Sequence, residues 1–567
     1  MSIQPRNDHE IPESTRTIAK KVLPEGNMYM RLRDELGELF SDTQFTDLFS
    51  KQGQPAEAPG RLALVTLMQF AEGLSDRQTA DAVRLRIDWK YALGLELDDP
   101  GFDYSVLSEF RNRLVEGSQT SILLDTLLAR FKEQGWLKAR GKQRTDSTHI
   151  VAAIRSVNRL ILVGETLRRA LNEIALVAPE WLRSLAPSNW WGEYGRRFDN
   201  LRHPKDKVKR DEYAERIGQD GFALLNAVRQ SSWSDELQAL PGVEILRQVW
   251  IQQFWTEYLP DESSRLRLRD HENQPSGYHL ISSPYDVESR FSVKHDGSTT
   301  WIGYKTHFTE TCDEGEDTVH LITHVETTEA VKPDTLIPDS IHAALAKKEL
   351  LPQEHLMDAG CIDADLLVDA PRDYGVTICG PLAPSSSWQA QAAQGYALTD
   401  FKIDWTARQA TCPQGHTSKS WQKKKYTYTR ELTIVQFDPA TCRACPARSQ
   451  CTRAQKAPRV LHLRDQAIQE SLQNQRQHQE TPEFRKQYAL RSGIEGTLSQ
   501  AIRVCKMRRS RYIGLAKTHL QMVATAAAIN LYRLYDWLVG NLREATRVSV
   551  FAALAPATVS VPKGWRF

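Results

Sequence analysis

Apolar positions recur at helical spacing through residues 29–140. The run Leu62, Val65, Leu67, Met68 and Phe70 predicts a dense apolar helix that ends at Gly73. Ser75 and Gln78 have the spacing of a capping box, so a second helix should run through Thr79, Ala82, Val83 and Leu85. Ser105 reads as the cap of a third helix around Leu107, Phe110 and Leu114. Helix, short turn, helix is the outline of a DNA-contacting helix-turn-helix, and equally that of a helical bundle. Residues 1–28 ahead of it read as a flexible lead. Residues 155–284 are again mostly helical and rich in Trp. Their basic run Arg196 to Arg210 reads as a solvated loop rather than a phosphate contact.

From about residue 285 the period becomes strand-like. Phe291 to Lys294, Trp301 to Phe308 and His320 to Thr327 predict three strands. Helix Asp334 to Lys348, a short strand His355 to Asp358 and a strand Val376 to Leu382 follow, which is an α/β pattern. Residues 384–481 interrupt it with Ser-, Gln- and Cys-rich sequence and an alternating run from Tyr426 to Ile434. Helix resumes at Pro482 and should continue to about Val539. The apolar stretch Gln521 to Gly540 contains Asn530, Arg533 and Asp536, so it reads as a buried helix and not a membrane span.

Charge changes the picture locally. The chain of 567 residues holds 73 Lys+Arg against 71 Asp+Glu, a net of +2, with 41% hydrophobic residues. That is ordinary globular composition, which excludes a disordered or collagen-like chain and leaves any nucleic-acid contact to local basicity. Glu483 to Lys517 supplies it, with nine Lys/Arg against two acids. The polar N-terminus has no apolar signal region, so the expectation is a cytoplasmic protein with no membrane association. In that compartment Cys residues are metal ligands or plain thiols rather than disulfides.

Three carboxylates are candidates for chemistry. Asp146 lies in Arg-Thr-Asp-Ser-Thr-His, Asp358 follows an apolar strand, and Glu495 opens a Gly-flanked helix. Two strand-end Asp residues and a helical Glu can converge on Mg²⁺ or Mn²⁺, whose hard character suits oxygen ligands. Taken alone, they read equally well as surface or capping acids. The helix sharpens the choice. Tyr488, Arg491 and Glu495 fall within about 60° of one face at 100° per residue, with Ser499 and Lys506 close to the same stripe. Such a face makes poor core and a good phosphate clamp. A second cluster, Cys412, Cys442, Cys445 and Cys451, with His416 in reserve, reads as a Cys₄ structural Zn²⁺ site or as reduced, unliganded thiols. His149 and His307 read as structural. Trp388, Trp405 and Trp421 read as packing of a small domain.

The chain resembles a DDE transposase of bacterial insertion sequences. The matching pieces are Arg61-Leu-Ala-Leu, Gly73-Leu-Ser-Asp-Arg and Phe110-Arg-Asn-Arg-Leu; Thr145-Asp-Ser-Thr-His; Tyr285-Asp-Val-Glu-Ser-Arg with Gly303-Tyr-Lys; Asp358-Ala-Gly; and Tyr488 to Glu495 with the basic run after it. The resemblance implies a ribonuclease H-like core whose carboxylate triad is Asp146, Asp358 and Glu495, with Asp363 and Asp365 outside it. The family's signature continues to a Lys, whose place here is taken by Ile502. The expected organisation is a flexible lead (1–28), a helical N-terminal domain (29–140), a catalytic core (141–154, 285–383, 482–545), a helical insertion (155–284), a β-rich Cys-containing insertion (384–481) and a tail (546–567). The expected function is Mg²⁺-dependent cleavage of insertion-sequence ends and strand transfer into target DNA. Tyr488 and Arg491 would hold the phosphate, Arg503, Lys506, Arg508, Arg509 and Arg511 would grip the backbone, and a homodimer would act on DNA in the bacterial nucleoid. The rivals are a metal-dependent nuclease without strand transfer and a catalytically silent DNA-binding relic.

Overall fold

The computed structural model describes residues 2–541, apart from residues 4, 6–9, 155–157, 202, 261–263, 271, 295, 316–317, 386, 393 and 426–430, together with residue 554. The expected tail, and residues 426–430 of the alternating run, therefore lie outside the described residues, Leu554 excepted. A six-stranded sheet organises the chain: β1 (Lys142–Val151), β2 (Arg290–Val293), β3 (Thr300–Thr311), β4 (Ile322–Glu329), β5 (Glu354–Leu356) and β6 (Thr377–Cys379). β3 pairs antiparallel with β1 from Gln143↔Thr311 to Val151↔Gly303. β2 and β4 share the outer side of β3. On the opposite flank, β5 runs parallel to the first residues of β1, and β6 runs parallel to β5. The five strands after β1 fall within two or three residues of their expected positions.

The period of two assigns the side chains of β1 to two faces. Arg144, Asp146 and Thr148 point to one face, and Thr145, Ser147 and His149 to the other. On that second face the Thr145 hydroxyl meets Thr309 at 2.7 Å and His355 Nε2 at 2.6 Å.

The N-terminal helices pack together with the sheet. Pro59–Glu72, Ser105–Glu116 and Ile122–Glu133 share one apolar core with β1, β3 and the long helix Leu515–Leu538. The run Ala524, Ala526, Ala527 and Ala528 is buried, and residues this small let neighbours approach that helix closely. Tyr532 donates to the Ala71 carbonyl at 3.1 Å, and Trp136 meets Trp537 edge to face. The expected capping box of Ser75 and Gln78 forms. Ser105 does not cap: it is the first helical residue, and its N–H donates to the Asp103 carboxylate. A short helix, Ile87–Leu93, also follows Asp76–Leu85 after Arg86 alone, so the expected helix-turn-helix outline is interrupted. The expected flexible lead contains a helix, Glu13–Val22. Ala19 packs against Met30 and Tyr91, and Thr15 donates to the Leu95 carbonyl at 2.7 Å, contacts too distant in sequence for local periodicity to reveal.

The helical insertion has its own core, including Val163, Leu167, Phe198, Ile217 and Leu246, and closes with a hairpin, Phe254–Tyr258 and Ser264–Leu268. The Cys-containing insertion is a three-stranded sheet (Ser420–Lys425, Glu431–Gln436, Val460–Leu463) and a ribbon (Lys402–Asp404, Gln409–Thr411) around Phe401, Val435, Phe437 and Leu461. The expected single helix from Pro482 to Val539 is instead Pro482–Ala489, a tighter turn Leu490–Ser492, Gly493–Arg503 and, after a non-helical stretch, Leu515–Leu538. Within that stretch Lys506 has φ +55°, and the backbone pairs with the end of β1 through Val151 N–H to Arg508 O and Ser510 N–H to Val151 O. Sheet pairing wins there over helix continuation, which also takes Lys506 off the Glu495 stripe. Among the described residues no helix is long and apolar enough to cross a membrane.

Candidate active site

Asp146 is the fifth residue of β1, so it is held mid-strand and not at a strand end. One carboxylate oxygen accepts from the Ser147 N–H at 2.8 Å, and the other meets the Arg491 guanidinium at 2.9 Å. Burial raises the Asp146 pKa; Arg491 and the Ser147 N–H work against this, while the nearby charges of Asp358 and Glu495 add to it. Asp358 lies two residues beyond β5. It caps the short turn Ala359–Cys361, accepting from the Ala359 N–H at 2.8 Å. Glu495 sits in the first turn of Gly493–Arg503, largely exposed, 3.4 Å from the other Arg491 terminal nitrogen.

Arg491 therefore spans two of the three carboxylates. Burial works against its charge, but Asp146, Tyr488, Asp358 and Glu495 outweigh it and raise its pKa. Its Nε is buried and has no hydrogen-bond partner. Tyr488 stacks on Phe484 with ring centroids 5.6 Å apart and planes 8° apart. Burial pushes its phenol up to about 12, so it stays a donor at neutral pH. The structure thus brings Asp146, Asp358, Tyr488, Arg491 and Glu495 together. Among the described residues, no three His, Cys, Asp or Glu side chains are arranged as a group that could hold a metal ion.

A buried ion network that the sequence did not reveal fixes this arrangement. Glu310 on β3 has a fully buried side chain and pairs with Arg144 at 2.6 Å and Arg533 at 2.7 Å. The Thr497 hydroxyl donates to the same carboxylate at 2.6 Å. Burial alone would raise Glu310, but Arg533, Arg144 and Thr497 hold it below the ordinary carboxylate value. Arg144 also donates to the Leu490 carbonyl. One network therefore fastens the residue before Arg491, the helix of Glu495 and the strand of Asp146. Gly493 is part of the fit: a Cβ there would stand 2.2 Å from the Arg144 guanidinium. Arg144 lies two residues from Asp146, a same-face spacing that could have flagged it.

The expected DNA-gripping residues divide. Arg503, Lys506 and Arg509 are exposed. Arg508 turns inward, donating to the Thr148 hydroxyl at 2.9 Å and the His149 carbonyl at 2.7 Å. Arg511 donates to the Leu74 carbonyl and lies over the Phe70 ring. These two hold the non-helical stretch to β1 and to the N-terminal helices. The Tyr285-to-Arg290 motif does similar work. Asp286 accepts from the Tyr304 hydroxyl, and Glu288 accepts from the Leu515 N–H at 2.8 Å, at the start of the long helix. His149 packs against Trp301, and His307 is buried beside Asp334.

Cys412, Cys442, Cys445 and Cys451 line one cavity of about 180 Å³ in the insertion. The Cys412 N–H donates to the His416 carbonyl and the Gly415 N–H to the Cys412 carbonyl, a tight knuckle with Gly415 at φ +82°. Burial raises the Cys451 thiol, and Cys442, Cys412 and Cys445 add to the shift while Arg459 opposes it. His416 also lines the cavity but is exposed. Trp405 and Trp421 pack edge to face against each other.

Residues 411–535 match the family model of a transposase DDE domain, and residues 17–113 match that of a second transposase domain, DUF772. No curated protein and no solved structure matches the chain. Over those two segments the chain is similar to transposases of the DDE kind. DNA is the partner this family implies, and its members generally use a divalent metal.

Proposed function

We propose that the chain binds insertion-sequence ends, cuts them and joins the cut strands to target DNA at the Asp146, Asp358 and Glu495 site. The observation that carries this is Arg491, a guanidinium held between Asp146 and Glu495 with a buried Nε left unpaired. That atom is a donor awaiting an acceptor, and a scissile phosphate supplies acceptor oxygens. Tyr488 stands beside it as a second, neutral donor. The strand order also supports a ribonuclease H-like core, with antiparallel β4, β3 and β1 followed by parallel β5 and β6.

Three hard carboxylates are the donor chemistry that Mg²⁺ or Mn²⁺ takes, although their side chains are not gathered into a metal-holding group among the described residues. When bound, a divalent ion supplies an activated oxygen nucleophile and stabilises the leaving oxygen. The chain's own part is to orient the phosphate through Arg491 and Tyr488, and to hold both groups with the Glu310 network. The four Cys thiols lining one cavity are the donor chemistry of a structural Zn²⁺ site, although they are not drawn into a metal-holding group among the described residues. Two ends must be joined, so a homodimer on DNA is the working unit. The test incubates the purified protein with Mg²⁺, a labelled end of the parent element and a plasmid target. Label joined covalently to the plasmid is expected. Cleaved end with no joined product would favour the hydrolytic nuclease, and intact end would favour the silent relic.

A further inference from the structure

The Cys-containing insertion carries a charge that the whole chain hides. Residues 401–464 hold thirteen Lys/Arg and three Asp/Glu, a net of +10, while the rest of the chain sums to −8. Self-repulsion from such a charge works against a small compact module, and a polyanionic partner would relieve it on binding.

The basic residues divide into two groups. Arg448, Arg459 and Arg464 turn inward: Arg448 donates to the Ala454, Gln455 and Ala457 carbonyls, and Arg459 to the Cys451 carbonyl beside the cavity. Arg464 pairs with Asp365, in the segment that follows Asp358, and so ties the module to the neighbourhood of the candidate site. The other group faces solvent. Lys419 and Lys423 pair with Asp438 and Asp465, and Arg453 lies over the Trp388 ring. Lys402, Arg408, Lys424, Lys425, Arg443 and Lys456 are exposed and make no ion pair among the described residues. Lys on the edge strand Ser420–Lys425 also guards against strand pairing between molecules. That role does not extend to Arg443, on the helix between two of the Cys residues, or to Lys456, in a loop.

We infer that the Cys-containing module is a phosphate-backbone grip, which binds duplex DNA beside the cut through its exposed Lys and Arg. The inference rests on the transposase reading and assigns it a surface: DNA is held by this insertion in addition to the 483–517 segment, where Arg508 and Arg511 are spent on internal contacts. Phosphate contacts carry no base information, so the grip should act on any sequence.

The test is fluorescence anisotropy of a labelled duplex of arbitrary sequence with the full-length protein across a salt series. Every phosphate that the protein no longer neutralises flattens the slope of log K against log salt by ~0.9. Combining Lys424→Gln, Lys425→Gln, Arg443→Gln and Lys456→Gln should flatten it by ~2–4 units with an unchanged melting temperature. The pair Lys424→Gln and Lys425→Gln, on exposed strand positions, should flatten it by ~1–2 units and serves should the fourfold variant fold poorly. An unchanged slope in either folded variant overturns the grip. The Asp146→Asn variant separates the two readings, because it should bind with the wild-type slope while failing to cut. A wild-type protein that cuts DNA, beside module variants that bind normally, leaves the transposase reading standing and removes this one.

Discussion

Arg491 shows how much one residue can be read from spacing and how much cannot. Its place beside Tyr488 and Glu495 was legible, because i, i+3 and i+7 share a helical face even with the tighter turn Leu490–Ser492 between them. Its contact with Asp146 crosses most of the chain and could enter only through family resemblance. Glu310 was not legible at all, since its partners Arg144 and Arg533 lie 166 and 223 residues away. A charged residue in a strand otherwise reads as solvent-facing. The network makes a sharp prediction at this scale. Glu310→Gln leaves the buried Arg144 and the half-buried Arg533 guanidinium groups without their counter-charge, and removing one partner of a buried pair costs about 3–5 kcal/mol. Thermal unfolding should show a clearly lowered melting temperature, and Gly493→Ala should lower it too, through the Cβ contact with Arg144. A Glu310→Gln protein as stable as wild type would mean that the network does not hold the site together.

At the scale of elements, strands and helices fell where periodicity put them, and the errors have physical causes. The helix expected to run unbroken from Pro482 is broken first by the tighter turn Leu490–Ser492 and then after Arg503, where residues 508–510 pair with the end of β1. The helical period was unbroken in the sequence, but backbone pairing with a distant strand is a tertiary override that no local pattern records. The Cys module was legible as an insertion from its composition, and its strands and knuckle follow from Gly and alternating positions. That the four thiols line one cavity was not, because spacing alone does not fix where the sulfurs meet. The prediction here is about one Zn²⁺ per chain by elemental analysis of protein purified without chelator. Cys442→Ser should lower that content and open residues 384–480 to protease, because a module with so small a core depends on the metal to fold. Protein free of zinc, with a protease-resistant module, would assign the four thiols to plain packing.

At the scale of the whole molecule, the N-terminal helices and the sheet share one core through Leu515–Leu538, which boundaries drawn on composition had separated. The consequence is mechanical: Arg511 reaches the Leu74 carbonyl, Tyr532 reaches Ala71, and the N-terminal region is built onto the strand that carries Asp146. On the proposed reading, binding and cutting should nevertheless separate, because the proposed backbone contacts are spread over the surface while the proposed chemistry rests on three carboxylates. The most direct measurement is cleavage of a labelled element end in Mg²⁺ by Asp146→Asn, Asp358→Asn and Glu495→Gln, each alongside an end-binding assay. The account predicts that all three variants bind the end with near wild-type affinity and that none cuts it. Near wild-type cutting by any one of them would remove that residue from the site and contradict the account.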